Sequence, residues 1–334
     1  MPRNPNQTRS STRRPRPELT NDFSWSPSRH RLFQECKRRY FYNYYGSWGG
    51  WDKRADKQTQ LLYRLKKMTN LPMLVGTLVH ETINQILLDL RRAQPVAVST
   101  AVEHTIGKLD KCLAESERGD WRDSPSKCTN LFEHYYGDTP SEDDLDRIRD
   151  RIVRLLEAFY SSPILDQLRS LPGYGWVTQE ALDSFTFDGQ KIWVSLDLAV
   201  RERDLMYIYD WKTGREREAD KTQLAVYAMF ATEKLHASLS ELTLRDFYLD
   251  TGKVVSVELE AKTLEETGSL IRSSIAQMLE NLDDPVANKA SKDRFPMTDD
   301  TEKCRQCPFN TVCFPTPVKV TSSEPAQQLT LSFT

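Results

Sequence analysis

The segment "CRQCPFNTVC", residues 304 to 313, restricts the fold of this chain more than any other. It places Cys304, Cys307 and Cys313 in a Cys-x2-Cys-x5-Cys run. A closed thiolate site takes four ligands, so a further one must come from elsewhere in the chain. Disulfides are not expected. The first stretch, "MPRNPNQTRSSTRRPRPELTND", is basic without an apolar segment and does not read as a secretory signal. A Cys-x2-Cys pair in an intracellular, cytoplasmic context points to metal.

A chain of 334 residues makes one large or two modest domains. With 38% apolar residues and a mean hydropathy of −0.61, its surface is polar. No run approaches the ~18 apolar residues of a membrane span, so no membrane association is expected. The net charge of −2 does not announce a nucleic-acid partner, but local charge does. From Arg29 to Lys67, eleven Lys and Arg interleave with Tyr40, Phe41, Tyr42, Tyr44, Tyr45, Trp48 and Trp51. Cations for phosphates and rings for bases suit single-stranded nucleic acid. The same rings suit the core face of an amphipathic helix, and both readings stand.

The pattern predicts a disordered basic arm at 1–22, then N-terminal helices at 23–84. One helix starts at Ser26-Pro27 and runs through Tyr44; a second starts near Gly76. Residues 85–172 read as a helical insertion or cap. From 173 to 290 the chain reads as three strands, a helix, a hairpin around Asp250-Thr251-Gly252 and a last helix. The cysteine segment occupies 291–317 and a flexible tail 318–334. The expected class is α/β with a mixed central sheet.

Asp210-Trp211-Lys212 closes an apolar strand, "DLMYIYDWK". Side chains alternate along a strand, so Asp210 and Lys212 share one face and Trp211 points to the other. Asp197 is expected to end the preceding strand and approach Asp210 across the hairpin. Two such carboxylates repel, and a divalent cation relieves the repulsion. Oxygen ligands suit Mg²⁺ or Mn²⁺, and one imidazole tilts the choice toward Mn²⁺. His80 is the candidate imidazole, with Gly76 one turn earlier allowing its helix to come close. Gln223 and Tyr227 form an i, i+4 polar pair on the helix after the strand. A surface ion pair is the plain alternative for Asp210 and Lys212. Cys112 and Cys128, like His30, His104, His134 and His236, have no ligand-like context.

Gly76-x3-His80, Asp197, Asp210-x-Lys212 and Gln223-x3-Tyr227, in this order, resemble the RecB-like branch of the PD-(D/E)xK nucleases. The likeness covers residues 24–46, 74–84 and 176–315. In the iron-sulfur members of that branch (AddB-type nucleases and CRISPR-associated RecB-like exonucleases among them), one cysteine precedes the nuclease motifs and three follow in this spacing. The resemblance therefore implies a restriction-endonuclease-like core and a 4Fe-4S cluster on Cys36, Cys304, Cys307 and Cys313, clasping the tail to the N-terminal helix. By count alone, zinc also fills four cysteines. The resemblance further implies that His80, Asp197, Asp210 and the Trp211 carbonyl bind the metal. It makes Asp197, Asp210 and Lys212 catalytic, puts Gln223 and Tyr227 on DNA, and suggests a polar contribution from Glu180.

The implied activity is metal-dependent hydrolysis of DNA, exonucleolytic on single strands, in repair, recombination or defence. No G-x4-GK[ST] phosphate loop is found, so a helicase acting in trans is the expected partner. The peptide "QQLTLSF", residues 327–333, resembles those that dock into bacterial sliding clamps. Two other classes compete: a DNA-end-binding scaffold with an idle site, and an iron-sulfur redox sensor bound to DNA.

Overall fold

The computed structural model describes residues 19–257 and 259–316 of the chain. Most of the expected basic arm and the clamp-like peptide at 327–333 lie outside the described residues.

Ser26 caps the first helix, α1 (Pro27–Glu35), by accepting from the Arg29 amide, with Pro27 at its first position. The single long helix expected here is broken. Cys36 is extended (φ −163°, ψ 110°), and its thiol caps α2 (Lys37–Phe41) by accepting from the Arg39 amide at 3.4 Å. A π turn over residues 42–46 continues it. Next come α3 (Lys57–Lys66) and α4 (Leu71–Arg91). The latter starts five residues before Gly76, because Asn70 caps it and Pro72 suits its first turn.

Then follow α5 (Val98–Arg118), α6 (Phe132–Tyr136), α7 (Glu142–Tyr160) and α8 (Pro163–Ser170). Strands β1 (Trp176–Phe187), β2 (Gln190–Glu202) and β3 (Leu205–Lys212) come next, in an antiparallel meander. The apolar helix α9 (Glu218–Lys234) crosses over to β4 (Leu242–Tyr248), parallel to β3, and β5 (Lys253–Val257) pairs antiparallel with β4. The sheet is mixed, in the order β1-β2-β3-β4-β5, as the α/β expectation requires. The chain then forms α10 (Ala261–Glu280), α11 (Thr301–Arg305) and α12 (Asn310–Cys313).

Each sheet face has its own core. On one, Leu224, Val226, Phe230 and Ala231 of α9 meet Val194, Leu196, Ile208 and Leu244, with Trp25, Phe33 and Tyr40 joining from the N-terminal segment. On the other, Leu155, Leu156 and Phe159 of α7 and Leu165 and Leu168 of α8 meet Leu198, Val200, Tyr209 and Trp211. The segment expected as an inserted cap thus forms the second layer over the sheet. Burying five such side chains contributes on the order of 10 kcal/mol before chain entropy is subtracted.

A third cluster, with Tyr42, Leu62, Leu65, Phe132 and Phe309, underlies the cysteine segment. The aromatic stretch is resolved largely in favour of the core reading. Tyr40 and Tyr42 are buried, whereas Trp48 and Trp51 are 38% and 44% exposed.

Candidate active site

Strand β3 delivers its side chains as alternation requires. Trp211 and Tyr209 stack in the second core, while Asp210 and Lys212 turn toward α9. Asp197 does not end its strand, since β2 runs on to Glu202. Instead the alternation of β2 fails there, with Leu196 in one core and Leu198 in the other. Its β1 neighbour Glu180 has a left-handed backbone (φ 45°) between the rungs Gln179↔Leu198 and Ala181↔Leu196. The pairing of β2 with β3 stops at Leu198↔Tyr209, and just beyond it Asp197 Oδ2 accepts from the Trp211 amide at 2.7 Å while Oδ1 lies 3.3 Å from His80 Nδ1.

Helix α4 brings His80 to Asp197. A Cβ at Gly76 would stand 3.1 Å from Thr213 Oγ1, so a larger residue there would press on the strand that carries Asp210 and Lys212. Burial pulls the His80 imidazolium down, but the Asp197 carboxylate outweighs it and holds the pKa at about 9.

Asp210 is 4% exposed, and burial drives its pKa up; the Lys212 ammonium in contact with Oδ2 opposes this, and Asp197 adds to it. Lys212 Nζ also donates to Gln223 Oε1 at 2.9 Å and lies 3.6 Å from Asp220 and 3.9 Å from Asp246. Burial works against its charge, yet the three carboxylates raise its pKa overall. It stays an ammonium.

Tyr227, expected on DNA, is turned inward in this structure. Its ring is 2% exposed, and its hydroxyl lies 3.1 Å from Asp210 Oδ1 and 2.6 Å from the Ser195 carbonyl oxygen. Gln223 is spent the same way, between Lys212, Tyr227 and Asp210. Both orient the charged pair. Glu180 reaches toward the site but is held by Asn84. Burial, and then Asp197, raise its pKa.

Asp246, Asp220 and Tyr248 were not singled out from the sequence. Parallel pairing sets Asp246 beside Asp210 and Tyr248 beside Lys212. Tyr248 donates to Asp220 at 2.9 Å. Asp246 Oδ1 is buried without a hydrogen-bond partner, and burial lifts its pKa to about 7. The alternation of "RDFYLD" was the available signal, and only knowledge of the β3–β4 pairing could have used it.

Four carboxylates therefore surround one ammonium and one imidazole, a balance that favours a further cation. Oxygens of Asp197 and Asp210 with a nitrogen of His80 form a donor set suited to Mg²⁺ or Mn²⁺. Among the described residues, no three or more His, Cys, Asp or Glu side chains are drawn together as a metal site in this state. Lys212 sits on Asp210 and the Trp211 amide on Asp197, where cation-facing oxygens would be.

At the other end of the fold, Cys36, Cys304, Cys307 and Cys313 line one small cavity of about 20 Å³. All six cysteines are free thiols. Burial pushes Cys307 up to about 12 and raises Cys304 and Cys313 as well. The four thiols share this cavity with Tyr42, Phe309 and Phe314. Cys112 packs against the second core and lies outside this cavity.

A mixed five-stranded sheet with Asp-x-Lys at the rim of its third strand, a second aspartate opposite and a histidine above defines the restriction-endonuclease-like class of α/β fold. The model of the PD-(D/E)XK nuclease superfamily matches residues 24–314, and the chain belongs to that superfamily. Its members are typically nucleases and use divalent metals of the Mg²⁺ or Mn²⁺ type. A search of curated proteins returned no match. Among the described residues, no helix is long and apolar enough to cross a membrane.

Proposed function

We propose that this chain hydrolyses phosphodiester bonds of single-stranded DNA as an exonuclease of the RecB-like branch. The observation that carries the reading is the meeting of His80, Asp197, Asp210 and Lys212 at one point of the rim. A cation held by the first three would supply charge stabilisation and an activated water when bound. Lys212, once released from Asp210, is placed to orient that water and to donate to a phosphate oxygen as charge builds on it. Gln223 holds the ammonium from the side, and Tyr227 fixes the Asp210 carboxylate. An idle DNA-binding scaffold would have no need for an ammonium buried among three carboxylates.

The four cysteines are assigned to a 4Fe-4S cluster, a clasp between the first helices and the tail. A helicase in trans would supply single strands, and residues 327–333 would dock on a sliding clamp. The redox-sensor reading has no structural feature in its favour.

The test is anaerobic purification, then incubation with 5′- and 3′-labelled single strands and Mn²⁺, beside Asp210→Ala. Degradation by the wild type alone is expected, and the product ladders give the polarity. Binding without cleavage by both proteins would replace this reading with the scaffold.

A further inference from the structure

Besides the thiol cavity, the described residues enclose a larger one of about 200 Å³, between α1, the α2 segment, the end of α3, the start of α4 and the cysteine segment. Its polar wall is Arg39, Asn43, Lys66, Thr69, Asn70 and Gln306, and the rest is apolar. Two cations line it and no carboxylate does. Arg39 is partly neutralised by Glu35 at 3.5 Å. Lys66 makes no ion pair or hydrogen bond among the described residues, and the Tyr44 ring lies 5.4 Å from its ammonium. Burial, with Lys67 and Arg29 nearby, lowers the Lys66 pKa to about 8. A chain that keeps an uncompensated ammonium in such a place is poised for an anion.

The cavity also has a direction. Met73 forms part of its wall, and His80 of the metal site lies two turns further along α4. Positions seven apart share a helix face, about 10 Å apart along the axis. On this strip between them Thr77 is exposed, while Gly76 sits close over Thr213.

We infer that this cavity receives a backbone phosphate of the nucleic-acid strand, held by Lys66 and Arg39, while α4 guides the strand on to His80. The inference rests on the nuclease reading above and adds to it a path and a phosphate site. The chemistry recognised is a phosphate, whether in a strand or in a free nucleotide, and the cavity's position on the α4 strip favours the strand. The apolar wall, with Met68 and Met73, suits the adjoining sugar and base without selecting among bases.

The experiment measures anisotropy of labelled single-stranded DNA without divalent metal, so that nothing is cut. It uses the anaerobically purified full chain, Lys66→Met, Lys66→Arg, and inorganic phosphate and a mononucleotide as competing probes. Lys66→Met is expected to fold, as shown by its melt, because it removes a penalised buried charge. It should bind the strand about tenfold more weakly. The salt dependence should lose about 0.7 of its log–log slope, the value for one phosphate on a single strand. Lys66→Arg should restore both. Unchanged affinity and slope would overturn the phosphate site while leaving the nuclease reading intact. Loss of free phosphate and mononucleotide binding alone would move the site to a free anion and overturn the strand path. A wild type that binds no strand at all would sink the nuclease reading itself, a result distinguishable from the other two.

Discussion

The Tyr227 hydroxyl stands 3.1 Å from Asp210 Oδ1 and 2.6 Å from the carbonyl oxygen of Ser195, so one side chain of α9 ties β2 to β3 at the reacting end of the sheet. This relationship makes Tyr227 a positioning residue, and it gives a clear expectation. Tyr227→Phe removes the hydroxyl from a buried network and should cost about 1–3 kcal/mol of stability. The cleavage rate should fall while affinity for single-stranded DNA in the absence of metal stays the same. Weakened DNA binding at unchanged cleavage rate would return Tyr227 to the DNA surface.

Lys212→Met leaves Asp210 and Asp246 buried without their shared ammonium. Loss of one partner of a buried charge network costs about 3–5 kcal/mol. Both carboxyls already have raised pKa values, Asp246 at about 7, so they bind protons more readily folded than unfolded. Their burden is therefore lightest at low pH and grows as pH rises through the folded pKa values. Metal-free melts should show the deficit of Lys212→Met shrinking from pH 8 to pH 5. A gap independent of pH would mean the ammonium does not compensate these groups.

Lys66 has the opposite sign. Its pKa of about 8 in the folded chain lies below the ~10.4 of an unfolded lysine. The unfolded state holds more protons between those values, so this residue's contribution to stability improves as pH rises from about 8 to 10. Wild type minus Lys66→Met, followed by melting temperature across that range, isolates the effect. Curves that run parallel would show that the ammonium is not penalised.

Cys313→Ser removes one of the four thiols that line the cavity of the proposed cluster. Iron content and melting temperature should fall together, with Cys112→Ser as a silent control because that thiol packs away from the cavity. A folded Cys313→Ser protein with its full iron would remove the clasp.

Much of this site was readable because strand alternation is a local rule: Asp210 and Lys212 could be placed on one face from five neighbouring residues. Asp246 and Tyr248 could not, since they reach the site through a parallel pairing across a helical crossover, which no short window contains. Nor could the bend at Cys36, where an unbroken amphipathic pattern conceals a single extended residue. Asp197 lies against the Asp210 strand, but the break in alternation between Leu196 and Leu198 shows only in the packed sheet. Gln223 and Tyr227 were legible as a pair, while the direction they face is decided by the burial of α9.

The N-terminal helices also take contacts from segments far along the sequence. Trp25 donates to Ser274, the Arg38 amide to the Pro296 carbonyl, and Tyr40 packs on Phe295. Cys36 and Cys313 are 277 residues apart. During synthesis, then, Trp25 and Tyr40 are made well over two hundred residues ahead of Ser274, Met278 and Phe295, which help to cover them. A chain interrupted before residue 274 leaves Trp25 and Tyr40 without these partners. Burial of these aromatic side chains is thereby coupled to synthesis of the segment that leads into the cysteine run.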